Sequence, residues 1–537
     1  MNSTKPQAGI FTSAMNLEGK SLGFKVVRGV VFSLLRKLVT GPLFLLIVPF
    51  TLYRVGTAGY GTWAILAGLI NICGFLDFGL SLTVIKHVAE YGGNKDLLRL
   101  QRVLDTALAL YVSLATITVC VLGFGSHLIV HALFRGDATS SAQILSLWPL
   151  LLVTVAPDIL ARPFGATING LQRMDLSNVL LFLRGSSNAL LTVILLLAGG
   201  KVGGLLWAAC LNALLNLVGS FLITRKLLPA LLPNPFRCDF KMLKEMCTFS
   251  LALSAGLTTT TIQAQLEKFY LVRFAGVVSV GLYDVASEAA SKVRRLPDLL
   301  LSPLMAAASE LHAANQRHKL RELYLRSNKY FAVIAVPLVV FAVFAAKMLV
   351  RVWLGPDLVP IALAFAGLVV GNFFVQLGSP AYAVLMGKGI LRPGVYASLL
   401  AGGLNIVLSF IFIRHWGFAG AMFGTAVPMF ASTIYYFMKA SPHLEMPFFQ
   451  MARRAYLKPL LCSLAAALAM GATPHVGNHA WQSLLVNSAV YAAIYLIGLL
   501  VTRFFDAFDI AKAQKYIPFV VFISGVIPRQ SEVTPGQ

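Results

Sequence analysis

This sequence predicts an all-α, polytopic membrane protein of about fourteen transmembrane helices, on three observations. Hydrophobic residues make up 58% of the 537, charged residues only 12%, and the mean hydropathy is +0.77. Apolar runs of roughly twenty residues, the length that crosses a bilayer core, recur from end to end, for example at 176–198, 330–346 and 483–501. Basic residues gather in every second connection between these runs, as in the inner loops of polytopic proteins. The alternating ten-residue segments of a membrane β-barrel are missing.

The N-terminal segment, 1–23, is polar and shows neither the apolar core nor the cleavage site of a signal peptide. Six helices near 24–53, 58–84, 104–133, 143–170, 176–198 and 202–224 form a first lobe, 24–224. A basic linker, 225–242, leads to a second lobe, 243–438, with helices near 243–274, 279–309, 329–350, 359–386, 393–413 and 417–438. Two more helices, near 455–473 and 481–502, complete the stretch 439–502, and a tail fills 503–537. Connections after even-numbered helices hold most of the bases, among them Lys86, Lys95, Arg99, Arg162, Arg173, Arg184, Arg225, Lys241, Arg317, Arg321, Lys388 and Lys439. The other connections hold little beyond Arg54, Arg135, Lys201, Arg273, Arg351 and Arg414. Both termini are therefore expected in the cytoplasm, and the net charge of +23 needs no nucleic acid to explain it. The six cysteines are scattered without CxxC spacing, so neither a zinc site nor a disulfide framework is indicated. In the tail, Lys512 and Lys515 mix with an apolar run too short to span, the pattern of an interfacial helix.

The two lobes resemble each other. In "RVGTAGYGTWAI" (54–65) and "RFAGVVSVGLYDVA" (273–286), Gly56, Gly61 and Trp63 fall opposite Gly276, Gly281 and Tyr283 at a constant offset. "KVGGLLWA" (201–208) parallels "GFAGAMFG" (417–424), and Asn188 and Asn405 stand at nearly the same spacing. A parallel repeat of six helices places substrate between the halves, which rock to give alternating access.

Charges inside the apolar runs mark where such a passage lies. Asp284, Glu288, Lys292 and Arg295 form one helical stripe, with Leu282, Val285, Ala289, Val293 and Leu296 opposite. Helix seven aligns Gly256, Thr260, Gln263, Glu267 and Tyr270, with Lys268 off that face. Arg36 lies mid-helix with no acid in reach, an intramembrane cation that needs a partner. Arg28 and Lys37 share its helix, and Asp77, Asp158 and Arg162 are weaker candidates. Asp158–Arg162 and Glu288–Lys292 have the spacing of intrahelical ion pairs, so a structural role competes with a cavity role. A cationic cavity fits an anionic substrate, because guanidinium forks match phosphate oxygens. Gln263, Gln376, Asn372 and Tyr382 are placed either to meet sugar hydroxyls or to bond helices together.

At 55–96, 267–316 and 327–355 the chain resembles the polysaccharide flippases of the multidrug/oligosaccharidyl-lipid/polysaccharide exporter superfamily. Residues "VGTAGYGTWAILAGLINICGFLDFGLSLTVIKHVAEYGGNKD" look like their first-lobe pattern, and "EKFYLVRFAGVVSVGLYDVASEAASKVRRLPD" like their seventh and eighth helices. The resemblance implies two six-helix lobes around a cationic cavity, in the bacterial inner membrane. It implies translocation of polyprenyl-diphosphate-linked oligosaccharide units for O-antigen, lipopolysaccharide or exopolysaccharide assembly, with membrane lipids, a polysaccharide polymerase and chain-length machinery as partners. No cofactor is implied, and a coupling ion, proton or sodium, is left open. The family's Asp-Arg pair in helix seven stands here as Glu267–Lys268, which keeps the signs but loses the planar fork.

Three other readings compete. A cation-coupled multidrug exporter favours acids in an apolar cavity, whereas bases predominate here, and a coupling acid has to come from Asp77, Asp158, Glu267, Asp284 and Glu288. A lipid-linked peptidoglycan precursor flippase shares the architecture. A membrane polysaccharide polymerase needs long outer loops with catalytic residues; here those loops are short, His475 and His479 have no acid beside them, and no enzyme site assembles.

Overall fold

The computed structural model describes residues 22–506 and Asp509, except 76, 95, 135–137, 299–300, 445 and 473–479; within the helices, the side chains of 22–40, 251–262 and several single positions are not described. Arg28, Arg36 and Lys37 thus lie outside the described side chains, as does most of the tail.

The described elements are helical, with no strand among them. They run α1 (Leu22–Phe75), α2 (Leu80–Gly93), α3 (Leu97–Leu133), α4 (Ala138–Gly170), α5 (Met174–Leu197), α6 (Lys201–Leu227), α7 (Phe240–Asp298) and α8 (Leu301–Ala313). There follow α9 (Arg317–Phe344), α10 (Ala346–Leu354), α11 (Pro360–Leu377), α12 (Ser379–Gly387), α13 (Arg392–Leu444), α14 (Phe448–Ala455), α15 (Leu457–Ala472) and α16 (Ala480–Val501).

Among the described residues, ten helical stretches are long and apolar enough to span, or eleven with α14 and α15 taken as one span bent by 47°. Three of them, α1, α7 and α13, are broken inside, at Gly56, Gly276 and Gly417. Counting each of these as two passes brings eleven to fourteen. Large apolar side chains point outward along the spans, Phe124 being 93% exposed, as expected of surface that meets lipid rather than water.

The breaks carry the internal repeat. Gly56 (φ 72°, ψ 172°) and Gly276 (φ 83°, ψ 167°) adopt nearly the same backbone, in a region essentially closed to side-chain-bearing residues. Gly417 has φ 56°, and Lys201, its counterpart in the first half, has φ 43°. At Gly56 and Gly276, matching sequence positions therefore make matching turns.

By its internal contacts the chain divides into two compact units, 1–292 with 394–432, and 293–393 with 433–537. In the first, the linker after α6 is docked rather than loose. Leu228 and Leu231 join Val84, Leu100, Val103 and Met246 in one buried cluster. Asp105 accepts hydrogen bonds from Gln101 Nε2 and the Asn234 amide, both at 2.7 Å.

In the second unit, Arg317 and Arg321, read above as connection, belong to the first turns of α9, which extends well past its apolar stretch. Beyond α16, Asp509 accepts from Arg326 Nη1 at 3.1 Å, from the Tyr330 hydroxyl at 2.5 Å and from Lys329 Nζ. Lys329 Nζ also meets Asp506 at 2.9 Å. Burial of Asp509 favours its neutral acid, but hydrogen bonds from Asp506, Lys329 and Tyr330 outweigh it and hold the carboxyl well below the usual range. A depressed carboxyl stabilises the fold fully above its unfolded pKa, about 3.9, and loses that contribution as pH falls through the folded value. Asp509→Asn is expected to cost about 3 kcal/mol at neutral pH, because Lys329 and Arg326 lose a buried partner. Thermal unfolding in detergent across acid pH checks this: the variant should show a shallower loss of stability below about pH 4 than the parent.

Candidate functional site

Two breaks bring a set of oxygens together. The turn at Gly276 folds α7 so that Glu267 and Tyr283 meet, and the turn at Gly417 folds α13 so that Asn405 and Ser409 face Thr425. Glu267, 3% exposed, sits where the four meet. Its Oε1 accepts from Thr425 Oγ1 at 2.7 Å, from Ser409 Oγ at 3.4 Å and from Asn405 Nδ2; its Oε2 accepts from the Tyr283 hydroxyl. The Tyr283 and Thr425 hydroxyls lie 2.8 Å apart, and Thr425 Oγ1 is 2.9 Å from the Ala421 carbonyl.

The protons here are fewer than the oxygens. Thr425 has one hydroxyl hydrogen and three oxygen neighbours, while the buried Asn405 Oδ1 has no hydrogen-bond partner. No base pairs with Glu267 among the described residues, although a buried carboxylate without a counter-charge costs several kcal/mol. A polar cluster rich in oxygens around one carboxylate matches a proton or a small hard cation.

The neighbouring residue does something different. Lys268 reaches across the same turn to Asp284, Nζ to Oδ1 at 2.5 Å, with both side chains nearly buried. This pair neutralises itself and clamps the two limbs of α7. The predicted stripe on the second limb is thus divided. Asp284 is consumed by Lys268; Glu288 pairs with Lys292 at 3.4 Å in a partly exposed place; Arg295 is exposed. Lys292 Nζ also lies 4.6 Å from the centre of the Phe44 ring. Gln263 is buried one turn before Glu267.

A second polar group lies in the first six helices. Asp158 of α4 is shared by two guanidinium groups, Arg162 Nη2 at 3.0 Å and Arg184 Nη2 at 2.7 Å. Arg162 also donates to the Gly74 carbonyl. One carboxylate against two guanidiniums leaves a surplus positive charge within the apolar spans. Arg184, counted above with the connections, stands well inside α5, which starts ten residues earlier at Met174. Its side chain is 44% exposed, so part of the fork is free to meet another anion. Asp77 is occupied locally: it accepts from Tyr111, from Ser81 Oγ at 3.2 Å and from the Ser81 amide at 3.3 Å, at the break before α2.

Asn405, Ser409, Thr425, Tyr283 and Arg184 are the participants that the sequence alone did not single out as a site. Asn405 and Tyr283 were visible only as repeat positions.

The sequence profile of a family described as polysaccharide biosynthesis protein matches residues 26–309. No curated protein matches the sequence. Among solved structures, the chain is similar to the lipid II flippase MurJ in its inward closed conformation, at 14% identity and a TM-score of 0.70, over 88% of this chain and 99% of that one. It is also similar to an inward-facing multidrug resistance MATE family transporter of the MOP superfamily, at 15% identity and 0.56, over 82% and 98%. A MOP superfamily transporter from Pyrococcus furiosus matches at 15% and 0.51, over 83% and 99%. At such identities the likeness is one of fold.

Proposed function

We propose that this chain, which belongs to the polysaccharide biosynthesis protein family, is a cation-coupled flippase for lipid-linked glycans. Its substrate is a polyprenyl-diphosphate-linked oligosaccharide unit. The unit passes from the cytoplasmic to the periplasmic leaflet of a bacterial inner membrane, where O-antigen or exopolysaccharide polymerase and chain-length machinery take it up. The observation that carries this reading is the Glu267 cluster, a buried carboxylate held by three hydroxyls and one amide with no base beside it among the described residues. A secondary transporter needs a site whose charge depends on a bound ion, and a buried carboxylate supplies one.

The roles then divide by sign. Glu267, with Asn405, Ser409, Thr425 and Tyr283, holds the coupling cation. Arg184 and Arg162, with Arg36 and Lys292, meet the diphosphate. Gln263 and Glu288 flank the passage. Loading the cation neutralises Glu267 and lets the two limbs of α7 and α13 close on it; release restores a buried charge and drives them apart. This links ion binding to alternating access of the two six-helix halves.

The test is deletion in the source organism followed by extraction of lipid-linked glycans. Completed repeat units should accumulate on the lipid, surface polymer should disappear, and Arg184→Ala should fail to restore it while Arg184→Lys restores part. Unchanged polysaccharide together with new drug sensitivity would establish the multidrug-exporter reading instead.

A further inference from the structure

A second cationic feature lies wholly in the second unit. A cleft of about 260 Å³ opens where α8 ends, α9 begins, α12 ends and α13 ends. His312, Arg317, Arg321, Lys388 and His443 line it, over an apolar floor that includes Leu320 and Val384. No carboxylate is among its described lining residues.

The arrangement is unfavourable by itself. Arg317 and Arg321 stand at i and i+4 on one face of α9, where like charges repel. Both occupy the first turns of that helix, at the positive end of its dipole. The turn has no acidic residue, and Gln316 before it gives no side-chain cap. Lys388 adds a third positive charge, held in place by donating to the His443 carbonyl at 2.7 Å. Among the described residues neither Arg317 nor Arg321 has an acid at ion-pair distance, although Glu322 is adjacent and turns instead to Arg326 at 2.8 Å. Three positive charges lining one cleft, with no carboxylate among the described lining residues, favour an anion there.

Size and surroundings select the anion. The volume lies just under the roughly 300–1,000 Å³ of small-molecule sites, too small for an oligosaccharide but adequate for a phosphate-bearing head group. The apolar floor suits the start of an acyl chain. Basic pockets at the ends of spanning helices take anionic lipid head groups for these reasons. We propose that this cleft binds the phosphate head group of an anionic phospholipid.

The experiment uses the full-length protein purified in detergent, with thermal unfolding and native mass spectrometry as readouts. The probes are phosphatidylglycerol, phosphatidylcholine of the same chain length, and inorganic phosphate. Phosphatidylglycerol should raise the melting temperature and remain bound, whereas phosphatidylcholine should not. Arg317→Gln/Arg321→Gln should weaken phosphatidylglycerol binding roughly tenfold or more, since each lost charge-assisted hydrogen bond is worth about that factor. Its lipid-free melting temperature should equal or exceed the parent's, because repulsion is relieved, so a misfolded variant is distinguishable from a lost site. Lys319→Gln, outside the cleft lining, is the control and should bind as the parent does. Equal binding by parent and double variant, or equal binding of the two lipids, overturns the proposal. Stabilisation by inorganic phosphate matching that by phosphatidylglycerol at equal concentration overturns the lipid assignment in favour of a soluble phosphate.

Discussion

Glu267→Gln should leave a folded protein that no longer couples translocation to an ion. Glutamine keeps the shape, with its one carbonyl oxygen accepting from Thr425 and its amide nitrogen donating to the Tyr283 oxygen, but it cannot carry the charge that a cation neutralises. Removing a buried, unpaired carboxylate also removes its desolvation cost, so the variant is expected to melt at or above the parent's temperature. Transport should fall on the order of a hundredfold, the upper range for loss of a coupling free energy between two sites. Asn405→Leu and Thr425→Val should give smaller losses, because each removes one oxygen ligand and leaves the carboxylate. Glu267→Asp should fall between, its shorter side chain withdrawing from at least one of the three partners on Oε1. The measurements are translocation in reconstituted vesicles with an imposed proton or sodium gradient, and cation-dependent thermal stabilisation. A Glu267→Gln protein that still flips substrate in proportion to the gradient would remove this residue from the mechanism. The sign of its stability change matters as much: a large loss of melting temperature would mean that Glu267 serves as a structural hydrogen-bond hub.

What the sequence discloses follows from what a bilayer penalises. Spans are legible because an apolar run of fixed length has few other uses. The breaks at Gly56 and Gly276 are legible because only glycine adopts their backbone, and the two segments match around them. Glu267 stands out as an acid in an apolar run, but its partners do not. Asn405, Ser409 and Thr425 are neutral and small, indistinguishable in sequence from the polar residues that bond helices together. They become a site only because the turn at Gly417 lays 405–409 beside 425. Arg184 shows the limit of sorting bases by connection: it lies inside the helix expected at 176–198, and α5, from Met174 to Leu197, carries it well into the span. The stripe from Asp284 to Arg295 has the right periodicity, but Lys268, on the other limb of α7, claims Asp284. Periodicity fixes a face; it does not say which partner the fold will place against it.

The largest structural effects are expected at the glycines where the two repeated turns touch. A Cβ added at Gly61 would lie 2.0 Å from the Val277 carbonyl oxygen, and one at Gly281 would lie 2.7 Å from the Thr57 carbonyl oxygen. Both obstacles are backbone, inside helices whose hydrogen bonds resist displacement, so a rotamer change offers no relief. Gly61→Ala and Gly281→Ala should each cost about 3 kcal/mol or more, at or beyond the upper end for overpacking by a single methyl group. Gly56→Ala is a different case. Nothing lies within 4 Å of its added Cβ, but φ is +72°, so it should cost about 1–3 kcal/mol of backbone strain alone. Gly165→Ala, in α4 two residues after Pro163 and with nothing within 4 Å of its added Cβ, should stabilise by up to about 1 kcal/mol and serves as the control. Yield of folded protein and melting temperature in detergent rank the four. The double variant Gly61→Ala/Gly281→Ala is the sharper test. An added methyl at Gly281 also meets Gly61 itself, at 2.9 Å from its nitrogen, so both substitutions wedge apart one contact. Once one has opened it, the second costs less, and the pair should destabilise by clearly less than the sum of the singles. Full additivity would mean that each turn bears its substitution alone, and that the matching glycines of the repeat do not form a shared joint.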